Sequence, residues 1–422
     1  MTPLRWGDPV SAFRDIARAH DRMFWLDGGG SRDWSGRRSI LGWLEPDDVS
    51  LTYDATSREV WRLAAGERTL VGDDIFTVLG EEVDRDGGDP GISWVGWFGY
   101  ACRPDLPARK GDATTRDVPD AVWMRSPHQV VFGHDATAPS SGPPLPTTPE
   151  TDAPAGVSRA SYDGWFARVQ EQLHLGNTYE VNLTYRESVE SDIVPADAYL
   201  RLRQLNPAPY AAHLQHQGVS VLSSSPERFA TIDRNRWVET KPIKGTTPRG
   251  STAEEDDAHR DALRTDPRYR AENLMIVDLL RNDLSMVCEP GTVTVPVLMD
   301  VESYPSVHQL VSTVRGHLRD DVTTVEALRA MFPAGSMTGA PKLRTMQVIA
   351  DVETTPRGVY SGALGWIGGD GRADLGVVIR TLVAHHGRYT LGTGGGVTVR
   401  SDAASEYDES RWKAARLLAV LE

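Results

Sequence analysis

Residues 241–250 of the chain read KPIKGTTPRG, and they follow a run at 237–240 whose composition predicts a β-strand. The two prolines fix φ and remove backbone donors, while the two glycines permit backbone conformations that other residues avoid. Lys244 lies in the middle of this segment, so its amine is held in one place by the backbone. The segment is therefore either a solvated basic turn or the frame of a functional amine.

Composition limits the classes of function. The chain has 422 residues, and its formal charge of −14 argues against nucleic acid or a membrane surface as the main partner. Its only cysteines, Cys102 and Cys288, exclude a disulfide framework and a cysteine-rich zinc site. No signal-peptide pattern opens the sequence, and no apolar run approaches the roughly 18 residues of a membrane span. We therefore expect a cytoplasmic location.

Local composition divides the chain into three parts. Residues 1–133 predict an α+β region. Proline and small polar residues dominate 134–158, which predicts a linker or exposed loop that cannot form a core. Residues 159–422 return to patterned sequence, and Ser161 is a candidate cap for the first helix there.

Periodicity places several elements in the C-terminal part. A helix is predicted over 271–287 and an amphipathic helix over 403–421. In the first helix the apolar residues recur every three or four positions: Leu274, Val277, Leu280, Leu284 and Val287. Antiparallel strands are predicted over 359–367, 375–383 and 389–398, joined by turns at Asp370–Gly371 and His386–Gly387.

Three glutamates on these helices are candidate metal ligands. Glu406 and Glu409 are three residues apart and so share a helix face, and Glu272 opens the helix at 271–287. They are either solvated, with Lys413 pairing to Glu409, or ligands of a hard cation such as Mg²⁺.

The glycine run at 392–396, GTGGG, also has two interpretations. Its backbone N–H groups could approach an anion closely, or the run could be a bulged, tightly packed strand. It is not a P-loop, because no Lys-Ser or Lys-Thr follows at the required spacing.

Nine segments together resemble the chorismate-utilising enzymes, a family that includes anthranilate, aminodeoxychorismate, isochorismate and salicylate synthases. The resemblance is dense over 161–422 and loose over 1–133. The segments are PIKGTTPRG, SPERF, AENLMIVDLLRNDL, HQLVSTV, FPAGSMTGAPKLRTMQVI, SGALGWIG, GVVIRTL, GTGGGV and EYDESRWKA. The resemblance implies an α/β (α+β) sandwich of two large, mainly antiparallel sheets with helices outside. In this sandwich, residues 1–133 contribute to the sheets and residues 159–422 bind chorismate.

Within the family, Lys244 resembles the lysine of the aminodeoxychorismate synthases, where anthranilate synthases carry alanine. Isochorismate and salicylate synthases activate water with a lysine at a position that is Glu180 here. The resemblance therefore implies amination of chorismate at C4, a step toward para-aminobenzoate and folate.

The resemblance also implies roles for individual residues. The catalytic residues are Lys244, Glu227, Thr246 and His308. The substrate-binding residues are Arg380, Gly394, Gly395, Gly396, Ser336, Thr338, Trp366 and Lys413. The ligands of a Mg²⁺ cofactor are Glu272, Glu406 and Glu409.

Two positions depart from the family pattern. Many relatives place histidine directly before the LVS segment, where this chain has Gln309 and its His308 lies one residue earlier. Because one residue along a strand reverses the face, His308 is either catalytic or structural. Trp366 stands where relatives often have tyrosine.

Neither cysteine lies in a glycine-flanked nucleophile motif, so we expect the ammonia to come from a separate glutamine amidotransferase subunit. Two alternatives stay open. One is amination at C2 in a secondary pathway, which would give anthranilate or aminodeoxyisochorismate. The other is an inactive regulatory partner that binds chorismate.

Overall fold

The computed structural model of the chain describes residues 4–6, 9–28, 38–111, 117–133, 156–304 and 307–422. The strands in these ranges are β1 (Leu4–Trp6), β2 (Arg22–Asp27), β3 (Arg38–Trp43), β4 (Ser50–Asp54), β5 (Glu59–Ala64), β6 (Glu67–Gly72), β7 (Ser93–Phe98), β8 (Ala121–Ser126), β9 (His128–Gly133), β10 (Glu180–Glu190), β11 (Tyr210–His216), β12 (Val219–Ser225), β13 (Arg228–Ile232), β14 (Trp237–Lys241), β15 (Ile243–Pro248), β16 (Thr294–Ser303), β17 (Val307–His317), β18 (Gly339–Ala340), β19 (Ala363–Gly368), β20 (Ala373–Val377), β21 (Thr381–His385) and β22 (Arg388–Val397). The α-helices are α1 (Val10–Ala19), α2 (Ile75–Arg85), α3 (Arg159–His174), α4 (Pro195–Leu205), α5 (Ala253–Thr265), α6 (Pro267–Ser285), α7 (Thr324–Met331), α8 (Lys342–Val352) and α9 (Ala403–Leu418).

The strands form two large sheets that are antiparallel except where β1 lies parallel to β9. One sheet has ten strands in the order β1-β9-β3-β2-β11-β12-β21-β22-β10-β18. The other has twelve, in the order β15-β17-β14-β13-β20-β19-β7-β8-β4-β5-β6, with β16 paired to β17. The pairs β2–β11 and β7–β19 join the early and late parts of the chain in both sheets.

The sheets pack on each other through one apolar layer. Trp97 and Leu364 from the twelve-stranded sheet meet Leu214 and Val221 from the ten-stranded sheet in this layer. Helices α2, α6 and α7 pack on the outer face of the larger sheet, and α1, α4 and α9 on that of the smaller. The predicted sandwich of two mainly antiparallel sheets with helices outside is confirmed.

Helix α6 begins earlier than predicted because Asp266 caps it. The Asp266 carboxylate accepts a hydrogen bond from the Arg268 N–H, and Pro267 occupies the first turn. The predicted apolar stripe is wrong at Leu274, which is 52% exposed. Asn273 is the inward-facing neighbour, since Ser312 of β17 bonds its side chain at 2.6 Å, so Leu274 points away from the core.

The predicted strand 375–383 is two strands that belong to different sheets. β20 ends at Val377 and β21 begins at Thr381, and the chain crosses between the sheets with Arg380 at φ +48°. The apolar pattern does not change at the crossing because both strands are buried. The next turn is as predicted, with His386 and Gly387 at φ +48° and +73°, as a two-residue hairpin turn requires.

Most of the predicted linker, residues 134–155, lies outside the described residues, so the three-part division stays a prediction. Just after it, Ser158 caps α3 by accepting from the Ser161 N–H at 3.2 Å. Ser161 itself, the predicted cap, lies inside the helix. Across the described ranges, none of the helices combines the length and the apolar character needed to traverse a lipid bilayer.

Candidate active site

Lys244 lies in a bulge of β15. The pairing of β15 with β17 changes register between Ile243 and Thr246. Gly245 has φ +90°, and a Cβ there would stand 2.8 Å from a side chain of α5, so the bulge requires glycine. Beside this bulge, the Lys244 amine donates a hydrogen bond to the carboxylate of Glu180, at the start of β10. The site therefore lies where edge strands of the two sheets come together.

The charge on Lys244 is set by its carboxylate neighbours. Burial alone lowers the pKa of the amine, but the contact with Glu180 and the charges of Glu272 and Glu227 outweigh burial, so the pKa is raised. At neutral pH the amine is therefore protonated. Glu180 is 1% exposed, and its second carboxylate oxygen has no partner in the described part of the chain. The hydrogen-bond acceptor in contact with the Lys244 amine is thus Glu180.

Glu227 is a buried carboxyl group that titrates near neutrality. Burial raises its pKa to about 7, although the charges of Lys244 and Arg380 and the hydrogen bond from Ser336 offset part of the shift. Ser336 Oγ donates that bond at 2.6 Å from a 3-10 turn over Gly335–Met337. A group with this pKa can donate or accept a proton at physiological pH.

The glycine run forms the wall opposite Lys244. Gly394 has φ +153°, which favours glycine. A Cβ at Gly395 would lie 3.2 Å from Glu406 Oε2, and one at Gly396 would lie closer than 3.0 Å to the Glu180 carboxylate. Side chains are therefore excluded from this wall, where the Glu180 and Glu406 carboxylates come close to the backbone.

Two of the three candidate metal ligands form ion pairs with the same side chain, that of Arg268. Arg268 Nε lies 3.1 Å from Glu272 Oε1, and Arg268 Nη2 lies 3.0 Å from Glu406 Oε1. Glu409 is half-exposed and pairs instead with Lys413, 2.7 Å away. The Lys413 amine also donates to a carbonyl of the glycine run at 3.0 Å.

The pair of Glu272 and Glu406 fits a magnesium ion. Burial raises the pKa of both carboxyl groups, whereas the Lys413 cation lowers that of Glu409. No group of three or more His, Cys, Asp or Glu side chains is arranged for a metal within the described ranges. Mg²⁺, however, is usually held by one or two carboxylates together with waters and substrate oxygens. The Arg268 guanidinium occupies the place between the two carboxylates that such a cation would take.

The structure does not bring His308 into this cluster, so its predicted catalytic role is corrected. His308 is fully buried on the other face of β17, with Nε2 2.9 Å from Asp256 Oδ1 and Nδ1 2.8 Å from Ser303 Oγ. Gln309 is its neighbour and lies opposite Thr246 in the β15–β17 pair. Both imidazole nitrogens are engaged, which indicates a structural histidine.

Trp366 and Thr338 make contacts within the protein. Trp366 packs against the apolar layer between the sheets, and the Arg372 guanidinium lies 5.7 Å from its ring centroid. Thr338 is buried, and its hydroxyl bonds the carbonyls of Gly335 and Gly339 at 3.2 and 3.3 Å. These contacts show packing for Trp366 and turn stabilisation for Thr338, and substrate binding by the two residues stays a prediction.

Sequence reasoning missed several residues of the cluster. Glu180 was noted only as a departure from a lysine, and nothing local shows that it pairs with a residue 64 positions later. Arg268 precedes Glu272 by four residues, a helical spacing that could have revealed the ion pair. Tyr360 is buried and close enough to Glu227 for their charges to interact. A buried pair, Glu353 and Arg357, lies beside these groups.

Comparison with known proteins places the chain in a family. The model of the chorismate binding enzyme family matches residues 22–419. Aminodeoxychorismate synthase of Streptomyces griseus is 39% identical over 462 aligned positions, covering 100% of this chain and 63% of the relative. Component 1 of that enzyme in Escherichia coli (strain K12) is 41% identical over 272 positions, covering 64% of this chain and 60% of the relative. The chain thus spans less than two thirds of the length of these relatives.

Solved structures agree with the sequence relatives. Anthranilate synthase component I from Streptococcus pneumoniae TIGR4 superposes with a TM-score of 0.74 and 25% identity, over 94% of this chain and 95% of that one. The segments around Lys244 and Glu227 lie within residues 22–419, which the family model matches. The chain therefore belongs to the family of chorismate binding enzymes.

Proposed function

We propose that the protein aminates chorismate at C4, with ammonia as the nitrogen donor, to give 4-amino-4-deoxychorismate. The observation that carries the proposal is the buried amine of Lys244, which is hydrogen-bonded to Glu180 beside the glycine wall. This amine is also close enough to Glu227 for their charges to interact. The relatives named aminodeoxychorismate synthase support the choice of reaction.

Chorismate carries two carboxylates, and the cluster offers two places for them. Arg380, at the crossing between the sheets, and the amides of the glycine run would hold the side-chain carboxylate. Glu272 and Glu406 would hold Mg²⁺, with Glu409 nearby on α9. When bound, Mg²⁺ supplies Lewis-acid polarisation of the ring carboxylate.

The groups in contact suggest a division of proton transfers. Glu180 accepts a proton from the Lys244 ammonium, and the neutral amine attacks C2 of chorismate. The C4 hydroxyl leaves as water with the proton of Glu227, whose pKa of about 7 suits a general acid. Ammonia then attacks C4, and the C2–N bond to Lys244 breaks. The attacking nitrogen gives one proton to Glu227, and Glu180 returns its proton to the released Lys244 amine, so every group regains its starting state. The catalytic role of Thr246 that the resemblance implies stays a prediction, and a hydrogen bond from its hydroxyl to the substrate would be its part in the reaction.

The source of ammonia is a further part of the proposal. Both cysteines of the sequence are buried, and burial raises the pKa of each thiol, the opposite of an activated nucleophile. We therefore expect a glutamine amidotransferase subunit to supply ammonia, which agrees with the name component 1 of the Escherichia coli relative. A cytoplasmic location also stays a prediction.

Product identity tests the proposal. The protein is incubated with chorismate, MgCl₂ and ammonium chloride near pH 8.5, and products are identified by mass and NMR. The expected product carries nitrogen at C4. Anthranilate would instead support C2 amination, a reaction suggested by a Haloarcula marismortui relative named anthranilate synthase component 1, 42% identical over 64% of this chain. No product, with chorismate binding retained, would support a regulatory role.

A further inference from the structure

A buried ion pair lies next to the candidate active site. Glu353 follows α8, and Arg357 lies four residues later in the connection to β19. Their side chains are 3% and 2% exposed. Arg357 Nη2 lies 2.6 Å from Glu353 Oε1, and Nε lies 3.0 Å from Oε2, so the contact is bidentate.

The pair covers the open edge of β10. The neighbouring strand β18 is only two residues long and pairs with Glu180 and Val181 alone. Farther along the edge, the Asn182 carbonyl accepts from Arg357 Nη2 at 2.7 Å, and the Thr184 N–H donates to Glu353 Oε1 at 2.9 Å. The two side chains therefore take the place of a missing strand for the backbone groups that β18 does not reach.

Arg357 also holds the turn that bonds Glu227. Its Nη1 donates to the Met337 carbonyl at 2.6 Å. Met337 follows Ser336, whose hydroxyl bonds the Glu227 carboxylate. One guanidinium thus ties together the strand that starts with Glu180 and the turn that carries the partner of Glu227.

We propose that Glu353 and Arg357 are positioning residues that fix Glu180 and Glu227 relative to Lys244. The assignment rests on the proposed function, in which these two carboxyl groups move protons. Replacing a buried ion pair with apolar residues of similar volume is often neutral for stability, so stability alone gives no reason for this pair. The planar guanidinium is required because it donates two hydrogen bonds to Glu353 and one each to the Asn182 and Met337 carbonyls, whereas a lysine ammonium has only three donors.

The test is Arg357→Lys, with Arg203→Lys as the matched control. Arg203 also contacts a buried carboxylate, that of Asp27 at the end of β2, in the core cluster that α1 and α4 form on the smaller sheet. We expect Arg357→Lys to lower kcat for chorismate amination roughly 10- to 100-fold, because sub-ångström misplacement of reacting groups is costly, with less than a threefold change in KM. A weaker bond from Ser336 should also move the Glu227 limb of the pH–rate profile to higher pH. Arg203→Lys should leave kcat and the profile unchanged.

A folded Arg357→Lys protein with wild-type kcat and pH–rate profile would overturn the proposal. If that variant does not fold, Glu353→Gln keeps the acceptor for Thr184 and is expected to show the same two changes; their absence would also overturn it. A crystal structure of the variant gives a readout independent of activity, since the distance from Ser336 Oγ to Glu227 should lengthen. If the wild-type protein binds chorismate without aminating it, the proposed function fails, and this distance still decides whether the pair positions Glu227.

Discussion

Gly396→Ala should displace the charged pair at the centre of the site. The backbone at Gly396 is not in the left-handed region, so alanine is compatible with the local fold. Its Cβ, however, would stand closer than 3.0 Å to the Glu180 carboxylate and 3.2 Å from the Lys244 amine. To reach the ~3.3 Å of an ordinary C–H···O contact, the carboxylate must retreat by roughly 1 Å.

Such a shift has a calculable effect. A misplacement of about 1 Å can reduce the rate about 100-fold, which corresponds to about 2.7 kcal/mol of transition-state stabilisation. The assay is kcat/KM for chorismate at saturating ammonium and Mg²⁺, with thermal melting to confirm folding. Gly164→Ala is the matched control, since a Cβ there meets no atom within 4 Å. A folded Gly396→Ala protein with wild-type kcat/KM would refute the proposed contact geometry.

Three further predictions follow from the same groups and from one buried histidine. Glu272→Gln and Glu406→Gln should each weaken Mg²⁺ binding at least tenfold in calorimetric titrations, because each removes one of two anionic ligands; unchanged titrations in both would remove them from the metal site. Glu227→Gln should lower kcat at least 100-fold and abolish the ionisation near pH 7 in the pH–rate profile, a limb that should persist if another group is responsible. His213 is fully buried, and burial lowers its pKa to about 4, with the Gln215 side chain offsetting only part of this. Because a histidine in the unfolded chain titrates near 6.5, the neutral His213 contributes fully to the free energy of unfolding above that pH. About 3 kcal/mol of this free energy is lost as the pH falls to 4. In denaturant unfolding, the free energy of unfolding of His213→Phe should therefore fall less than that of the wild-type protein between pH 6.5 and 4. An equal fall in the two proteins would contradict the prediction.

The sequence predicted the architecture through motif resemblance and the local elements through periodicity. It could not show that the run at 375–383 crosses from one sheet to the other, because both strands are equally apolar. It placed Leu274 in the core because spacing alone does not tell which of two adjacent helix positions faces β17.

The candidate site was predicted in part. Lys244, Glu227 and the glycine run lie together as the motifs implied, since each motif is tied to one strand or turn. His308 lay on the wrong face, and the strand period had already made this an open alternative. The Lys244–Glu180 pair joins two strands that are 64 residues apart in the sequence. Glu353 and Arg357 are only four residues apart, but they lie beyond the end of α8, where this spacing does not predict a contact.

The most direct test of the central claim compares wild-type protein with Lys244→Ala. Both proteins, shown to be folded by circular dichroism and to bind chorismate, are given chorismate, Mg²⁺ and ammonium, and products are identified by NMR. We expect 4-amino-4-deoxychorismate from the wild-type protein and none from the variant, because the proposed bond at C2 forms with the Lys244 amine. Amination at C4 by Lys244→Ala at a near wild-type rate would contradict it.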